Sequence, residues 1–298
     1  MSQDPSGVVP ILPTPFAVDG SIDEEGFAST IEAAIASGVD GVALFGLAGE
    51  FYKLTDAERF DLMMLLIGRV AKRCPVVISI TPHATGLAVA EALRASEAGA
   101  DALMVLPPFF AGTQTDAALR HIEAVASAVQ LPVIVQYAPL QTGKTIDASL
   151  FAKVAGSLPN LGCVKVDLVP SGPMISALRS HGLRSMVGYM GLHLPEDFSR
   201  GAIGVMPTVS LSAAFVKLWK LLAADDPRAR ALHGHMLPLL QFMMQSIEFL
   251  LACEKEILAQ RGVIRSACRR EPAVNLDAIQ RVELARNLEH LTTQLECY

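Results

Sequence analysis

Leu161-Gly162-Cys163-Val164-Lys165-Val166-Asp167 is a short apolar run between a Pro-Asn turn and a Pro-Ser-Gly-Pro turn. Bounded in this way, it reads as a buried strand that carries one lysine. An ammonium in an apolar strand is costly unless paired or neutralised, and burial favours the free amine, the nucleophile that condenses with a ketone. Lys165 is therefore a candidate Schiff-base residue. A lysine at an exposed strand end fits the same pattern, so the neighbouring segments must decide.

Working outward, the alternation is regular. Upstream, residues 133 to 137 form an apolar strand introduced by Leu131-Pro132 and ended by Pro139, and a helix near 147 to 156 joins it to the lysine strand. Downstream come a helix from Pro170 to His181, a strand at 185 to 189, a short helix at 195 to 200, a strand at 202 to 206 and a helix at 209 to 223. Earlier in the chain, strands at 8 to 12, 42 to 45, 76 to 81 and 102 to 106 alternate with helices at 23 to 37, 55 to 73, 85 to 99 and 116 to 129. Strands apolar on both faces and alternating with helices argue for parallel βα units. Eight such units predict an α/β fold, a (β/α)8 TIM barrel over residues 1–224. A doubly wound open sheet is the competing architecture, but no Gly-x-Gly-x-x-Gly follows the first strand. Asp225-Asp226-Pro227 marks a break, and helical periodicity at 227 to 260 and 276 to 295 predicts a C-terminal helical extension over residues 225–298.

A net charge of -6 with no basic block gives no footprint for nucleic acid. Cysteines at 74, 163, 253, 268 and 297 are odd in number and show no CxxC or Cys/His metal spacing. A cytoplasmic protein with neither metal nor cofactor is expected. The first five residues lack a basic region followed by an apolar core, so no secretory signal is expected. The most apolar segment, 236 to 252, is interrupted by Pro238, Gln241, Gln245, Ser246 and Glu248, which makes it a core or subunit-interface helix, not a membrane span. It holds more apolar side chains than one helix face needs, so a face left uncovered by its own barrel and a homo-oligomer of two or four subunits are expected.

In a barrel of this kind the chemistry collects at the C-terminal ends of the strands. Gly46-Leu47-Ala48-Gly49-Glu50 follows the second strand, and its glycines can bring backbone N–H groups of Ala48, Gly49 and Glu50 to an anionic ligand. An ordinary βα turn has the same composition. Gln136 and Tyr137 end the fifth strand; Gly188, next to Tyr189, and Met206 end the seventh and eighth. Leu47, Ala48, Gly49, Glu50, Gly188 and Met206 are the candidate substrate-binding residues, with Lys165, Gln136 and Tyr137 as candidate catalytic ones.

The combination of Gly7-Val8-Val9-Pro10, Thr14-Pro15-Phe16, Asp19-Gly20, Gly46-Leu47-Ala48-Gly49-Glu50, Pro139 with Thr142-Gly143, and Lys165 resembles the dihydrodipicolinate synthase and N-acetylneuraminate lyase superfamily. The run Lys255, Leu258, Gly262, Arg270 and Pro272 is similar to that family's tail. The resemblance implies a pyruvate-type class I aldolase barrel, usually a tetramer, with Lys165 as the imine-forming lysine. This chain departs from the pattern where hydroxyls are expected. Leu47 and Ala48 stand in place of hydroxyl residues, Gln136 in place of the strand-five tyrosine, Phe109-Phe110 in place of the tyrosine-bearing pair, and Gln141 in place of an arginine. Tyr137 could serve only if the strand slipped by one residue, which would turn it to the opposite face.

Proton transfer at the carbinolamine and imine steps needs a group that both gives and takes a proton, which Phe, Ala and Gln cannot do. The expected activity is a Schiff-base lyase, aldolase or dehydratase, on a 2-oxo acid such as a 2-keto-3-deoxy sugar acid that brings its own hydroxyls. Dihydrodipicolinate synthase activity proper and a non-catalytic barrel that binds 2-oxo acids are the alternatives.

Overall fold

A computed structural model describes residues 5–298. Residues 1–4, most of the stretch in which no signal is expected, lie outside the described part. The strands are β1 (Gly7–Val8), β2 (Val42–Leu44), β3 (Val76–Ile80), β4 (Ala102–Val105), β5 (Val133–Tyr137), β6 (Leu161–Val166), β7 (Arg184–Val187) and β8 (Gly204–Val205). They form one parallel sheet in the order β1-β8-β7-β6-β5-β4-β3-β2. Ile11 closes the ring by bridging to Ala43 on one side and Thr208 on the other. The first strand is shorter than its apolar run because Pro10 and Pro13 have no N–H to give a ladder.

Eight helices follow the first seven strands, and a ninth follows β8: α1 (Glu24–Ala36), α2 (Asp56–Val70), α3 (Thr85–Ala98), α4 (Thr115–Ser127), a single turn α5 (Pro139–Thr142), α6 (Ala148–Ala155), α7 (Gly172–Ser180), α8 (Leu194–Ser199) and α9 (Ser212–Ala223). Local chemistry sets several starts. Asp23 accepts from the Gly26 N–H at 2.9 Å to begin α1, and Thr55 with Glu58 forms a capping box on α2. The core has two layers. Val9, Ile11, Val77, Met104, Ile134, Cys163 and Met186 fill the barrel interior, while the opposite strand faces pack against the helices.

Three more helices, α10 (Arg228–Met243), α11 (Ile247–Gln260) and α12 (Ala278–Leu295), form the C-terminal part. The apolar run at 236 to 252 is not one helix with a bare face, as expected from its composition. It breaks at Ser246, whose hydroxyl accepts from the Phe249 N–H at 3.1 Å, and the two helices bend by 115°. The bend lets Met236, Leu239, Leu240, Met243, Leu250 and Leu251 all be buried within the chain. Among the described residues no single helix is long and apolar enough to cross a membrane. Large apolar side chains are exposed elsewhere, Phe110 at 66% and Leu140 at 56%.

Candidate active site

Lys165 lies on β6 and points into the barrel mouth. Strand side chains alternate, so Cys163, Lys165 and Asp167 share the inner face. Lys165 is 4% exposed, and its Nζ lies 2.7 Å from Asp167 Oδ2. The ammonium is therefore paired, where an apolar setting alone was expected. The β5–β6 register aligns Gln136 with Lys165 and Tyr137 with Val166. Gln136 consequently points inward, and its Nε2 donates to the same Asp167 Oδ2 at 2.8 Å. The Tyr189 N–H donates to Oδ1 at 3.0 Å, so three donors hold one carboxylate.

Tyr137 is a correction. The β5–β6 register shifts between Val133 and Ile134 but runs regularly from there to Tyr137, so its ring turns to the outer layer, edge-on to Phe151 at 5.5 Å, and its hydroxyl accepts from the Ile146 N–H at 3.4 Å. Burial pushes this phenol above its ordinary value, and it cannot reach Lys165 from the opposite face. Gly188 serves differently from the substrate contact expected of it. A Cβ there would sit 1.8 Å from Asp167 Oδ1, so only glycine leaves room for that carboxylate. Asp167 itself went unrecognised in the sequence, although its i+2 spacing from Lys165 already put both on one face.

The Gly-rich loop forms a 3-10 turn over Leu47–Gly49. Gly49 N–H donates to Gly46 O at 2.8 Å and Glu50 N–H to Leu47 O at 3.4 Å, so these two groups are spent inside the turn. The N–H groups that the turn itself cannot use belong to its first residues, Leu47 and Ala48. The expected anion donors thus shift from Ala48, Gly49 and Glu50 to Leu47 and Ala48. Glu50 takes the left-handed conformation (φ 56°), and its carboxylate is fully buried away from the mouth. It pairs there with Lys255 of α11 and with Lys53 Nζ at 3.3 Å. Lys255 also lies 4.4 Å from the centre of the Phe16 ring. Burial pushes Lys255 down to about 8 against the pull of Glu50.

The pocket above Lys165 is lined by Ile11, Leu47, Ala48, Gln141, Asp167, Tyr189, Met190, Met206, Pro207 and Thr208, and by Met244, Ile247 and Leu250 from the C-terminal helices. The helical extension is therefore one wall of the site, which no local pattern in 225–298 announces. Lys165 is the only cation among these lining residues. Phe45, Glu50, Tyr189 and Met190 all have positive φ, and each follows a strand at the mouth. Such backbone costs about 1–3 kcal/mol per residue and persists where surrounding structure holds it. Phe109 and Phe110 stack at 5.0 Å beside His83, with no hydroxyl to offer. Burial lowers His83 below its ordinary value. Among the described residues no group of three or more His, Cys, Asp or Glu side chains could hold a metal ion.

A closed parallel barrel with a buried lysine at the end of its sixth strand, under a pocket at the C-terminal mouth, defines a (β/α)8 barrel of the enzyme type. The chain belongs to the dihydrodipicolinate synthetase family, whose profile matches residues 4–291. It is 30% identical over 242 residues to a 4-hydroxy-tetrahydrodipicolinate synthase of Haloarcula marismortui, covering 80% of this chain and 78% of that one. It is 28% identical over 298 residues to an L-2-keto-3-deoxyarabonate dehydratase of Azospirillum brasilense, covering 96% and 95%. Among solved structures, a prophage protein of the dihydrodipicolinic acid synthase family from Escherichia coli K12, in complex with pyruvate, superposes with a TM-score of 0.87 at 25% identity, covering 96% and 98%.

Proposed function

We propose that this protein is a class I lyase that forms a Schiff base between Lys165 and a 2-oxo acid, with a 2-keto-3-deoxy sugar acid as substrate. The carrying observation is Lys165, buried at the floor of the pocket with its amine against Asp167. Lys165 attacks the ketone carbon, and the resulting imine draws electrons from the substrate so that a C–C or C–O bond further along the chain breaks through an enamine. The substrate carboxylate lies on the N–H groups of Leu47 and Ala48. With no second cation in the lining, the rest of the substrate is neutral, and Gln141, whose buried Oε1 has no partner, accepts from one of its hydroxyls.

The lack of side-chain hydroxyls at Leu47, Ala48, Phe110 and Gln136 argues against the synthase reaction, in which aspartate semialdehyde brings no hydroxyl of its own. Loss of acid–base help there costs about 10² to 10⁴ in rate. Five cysteines, an odd number with no CxxC spacing, support a reducing compartment such as the cytoplasm. We place the working form as a dimer or tetramer.

Borohydride reduction in the presence of a panel of 2-oxo acids, read by intact mass, tests the proposal. A covalent adduct is expected in the native protein and none in Lys165→Ala, with turnover of sugar-derived 2-oxo acids exceeding condensation with aspartate semialdehyde. An adduct that persists in Lys165→Ala removes the mechanism. Fast condensation returns the protein to synthase activity proper, and an adduct without turnover of any panel member makes it a binding barrel.

A further inference from the structure

Asp167 is the only carboxylate among the residues lining the pocket, and the Schiff-base reading so far gives it no role. Its Oδ2 is 2.7 Å from Lys165 Nζ, well within proton-transfer distance. Gln136 Nε2 and the Tyr189 N–H fix the two oxygens from opposite sides, and Gly188 leaves the space the carboxylate fills. The side chain is 8% exposed, so bulk water is largely kept from it. A carboxyl group both donates and accepts a proton, as neither Gln136 nor Phe110 can.

Resting on the Schiff-base reading, we infer that Asp167 is the catalytic acid–base of the imine steps and that Gln136 is its positioning residue. The resting pair is an ammonium and a carboxylate. The proton moves from Nζ to Oδ2, leaving a neutral amine and a carboxylic acid. Nζ then bonds to the ketone carbon, the C=O electron pair moves to oxygen, and Asp167 delivers its proton there. The adduct nitrogen returns one proton to the carboxylate, which gives a neutral carbinolamine beside a carboxylic acid. Asp167 protonates the hydroxyl, the C–O bond breaks, water leaves and the nitrogen lone pair forms the iminium. Charge is conserved: ammonium and carboxylate at the start, iminium and carboxylate at the end.

A pair that served only to neutralise a buried charge makes the opposite prediction. Removing the counter-ion of an ammonium favours the free amine, so such a variant would form the imine as fast as the native protein or faster. The test is the rate of imine formation with pyruvate, quenched with borohydride at successive times, in native protein, Asp167→Asn and Asp167→Ala. Asp167→Asn is expected to slow the adduct by about 10² to 10⁴, while Tyr137→Phe, on the outer layer, leaves the rate unchanged. Added formate or acetate should restore part of the rate in Asp167→Ala, the more basic acetate more strongly per bound molecule. A native rate in Asp167→Asn, no rescue of Asp167→Ala, or a loss confined to Tyr189→Phe overturns the inference. No adduct in the native protein with any 2-oxo acid would instead bring down the Schiff-base reading beneath it.

Discussion

Replacing Glu50 by Gln takes one charge out of the buried cluster behind the Gly-rich loop and leaves the shape nearly unchanged. Glu50 and Lys255 are both fully buried, and without the carboxylate the ammonium keeps only Cys268 O at 3.3 Å and the face of the Phe16 ring. Lys255 has a way out. Its folded value is already down at about 8, so near pH 6 it can shed its proton for about 1.4 kcal/mol per pH unit, about 3 kcal/mol in all. That lies at the lower end of the cost of breaking a buried ion pair, about 3–5 kcal/mol. With about 2.1 cal/mol/K of unfolding entropy per residue over 298 residues, the melting temperature falls by about 5 °C.

The pH dependence follows from the same numbers. Lys255 is lowered in the fold from 10.5 to about 8, so between these values the unfolded chain binds more protons, and this group adds stability as pH rises through the interval. Glu50→Gln lowers the folded value further and opens the interval at lower pH. Above about pH 8 the native protein, too, has lost the Lys255 ammonium and Glu50 keeps only Lys53 at 3.3 Å, so the penalty of the substitution is smaller near pH 9 than near pH 6. Urea unfolding of both proteins near pH 6 and pH 9, with KM for a 2-oxo acid alongside, reads this out; KM should rise because the loop presenting Leu47 and Ala48 loses its anchor. An equal penalty at both pH values, or none near pH 6, refutes the reasoning.

Arg270 holds the Glu58 carboxyl down at about 2 through a hydrogen-bonded pair that includes a 2.8 Å contact. This depressed value means that the pair's stabilisation is full above about 4.5 and is lost as pH falls towards 2; solvent screening keeps it to about 1 kcal/mol. Glu58→Gln should therefore lower the urea midpoint at neutral pH and leave it unchanged at the acid end, and a difference that persists there contradicts the assignment. Phe110, two-thirds exposed on top of Phe109, is expected to be covered by a second copy of the chain. Light scattering should give a multiple of 31.7 kDa for the native protein and a smaller species for Phe110→Asp, and a native monomer at micromolar concentration contradicts it.

The alternation of strand and helix was legible because it is local. Apolar runs bounded by proline and glycine, with Asp23 and Thr55 at helix starts, specify βα units within about thirty residues of chain. For Lys165 the local reading left an exposed strand end open, and it was the resemblance to a lysine-dependent family that favoured the buried position. Tertiary structure decided the rest. The inward turn of Gln136 and the outward turn of Tyr137 depend on how β5 aligns with β6, a register no single strand encodes. The pairing of Glu50 with Lys255 joins residues far apart in the sequence, and it buries behind the loop the side chain of a residue whose backbone N–H the Gly-rich motif offered to substrate. The apolar surplus at 236 to 252 pointed to a partner subunit, yet a 115° bend at Ser246 buries it within the chain and makes Met244, Ile247 and Leu250 a wall of the pocket. Sequence periodicity records which side chains share a face. What that face meets is fixed only when the barrel closes, because the contacts that decide it span most of the chain.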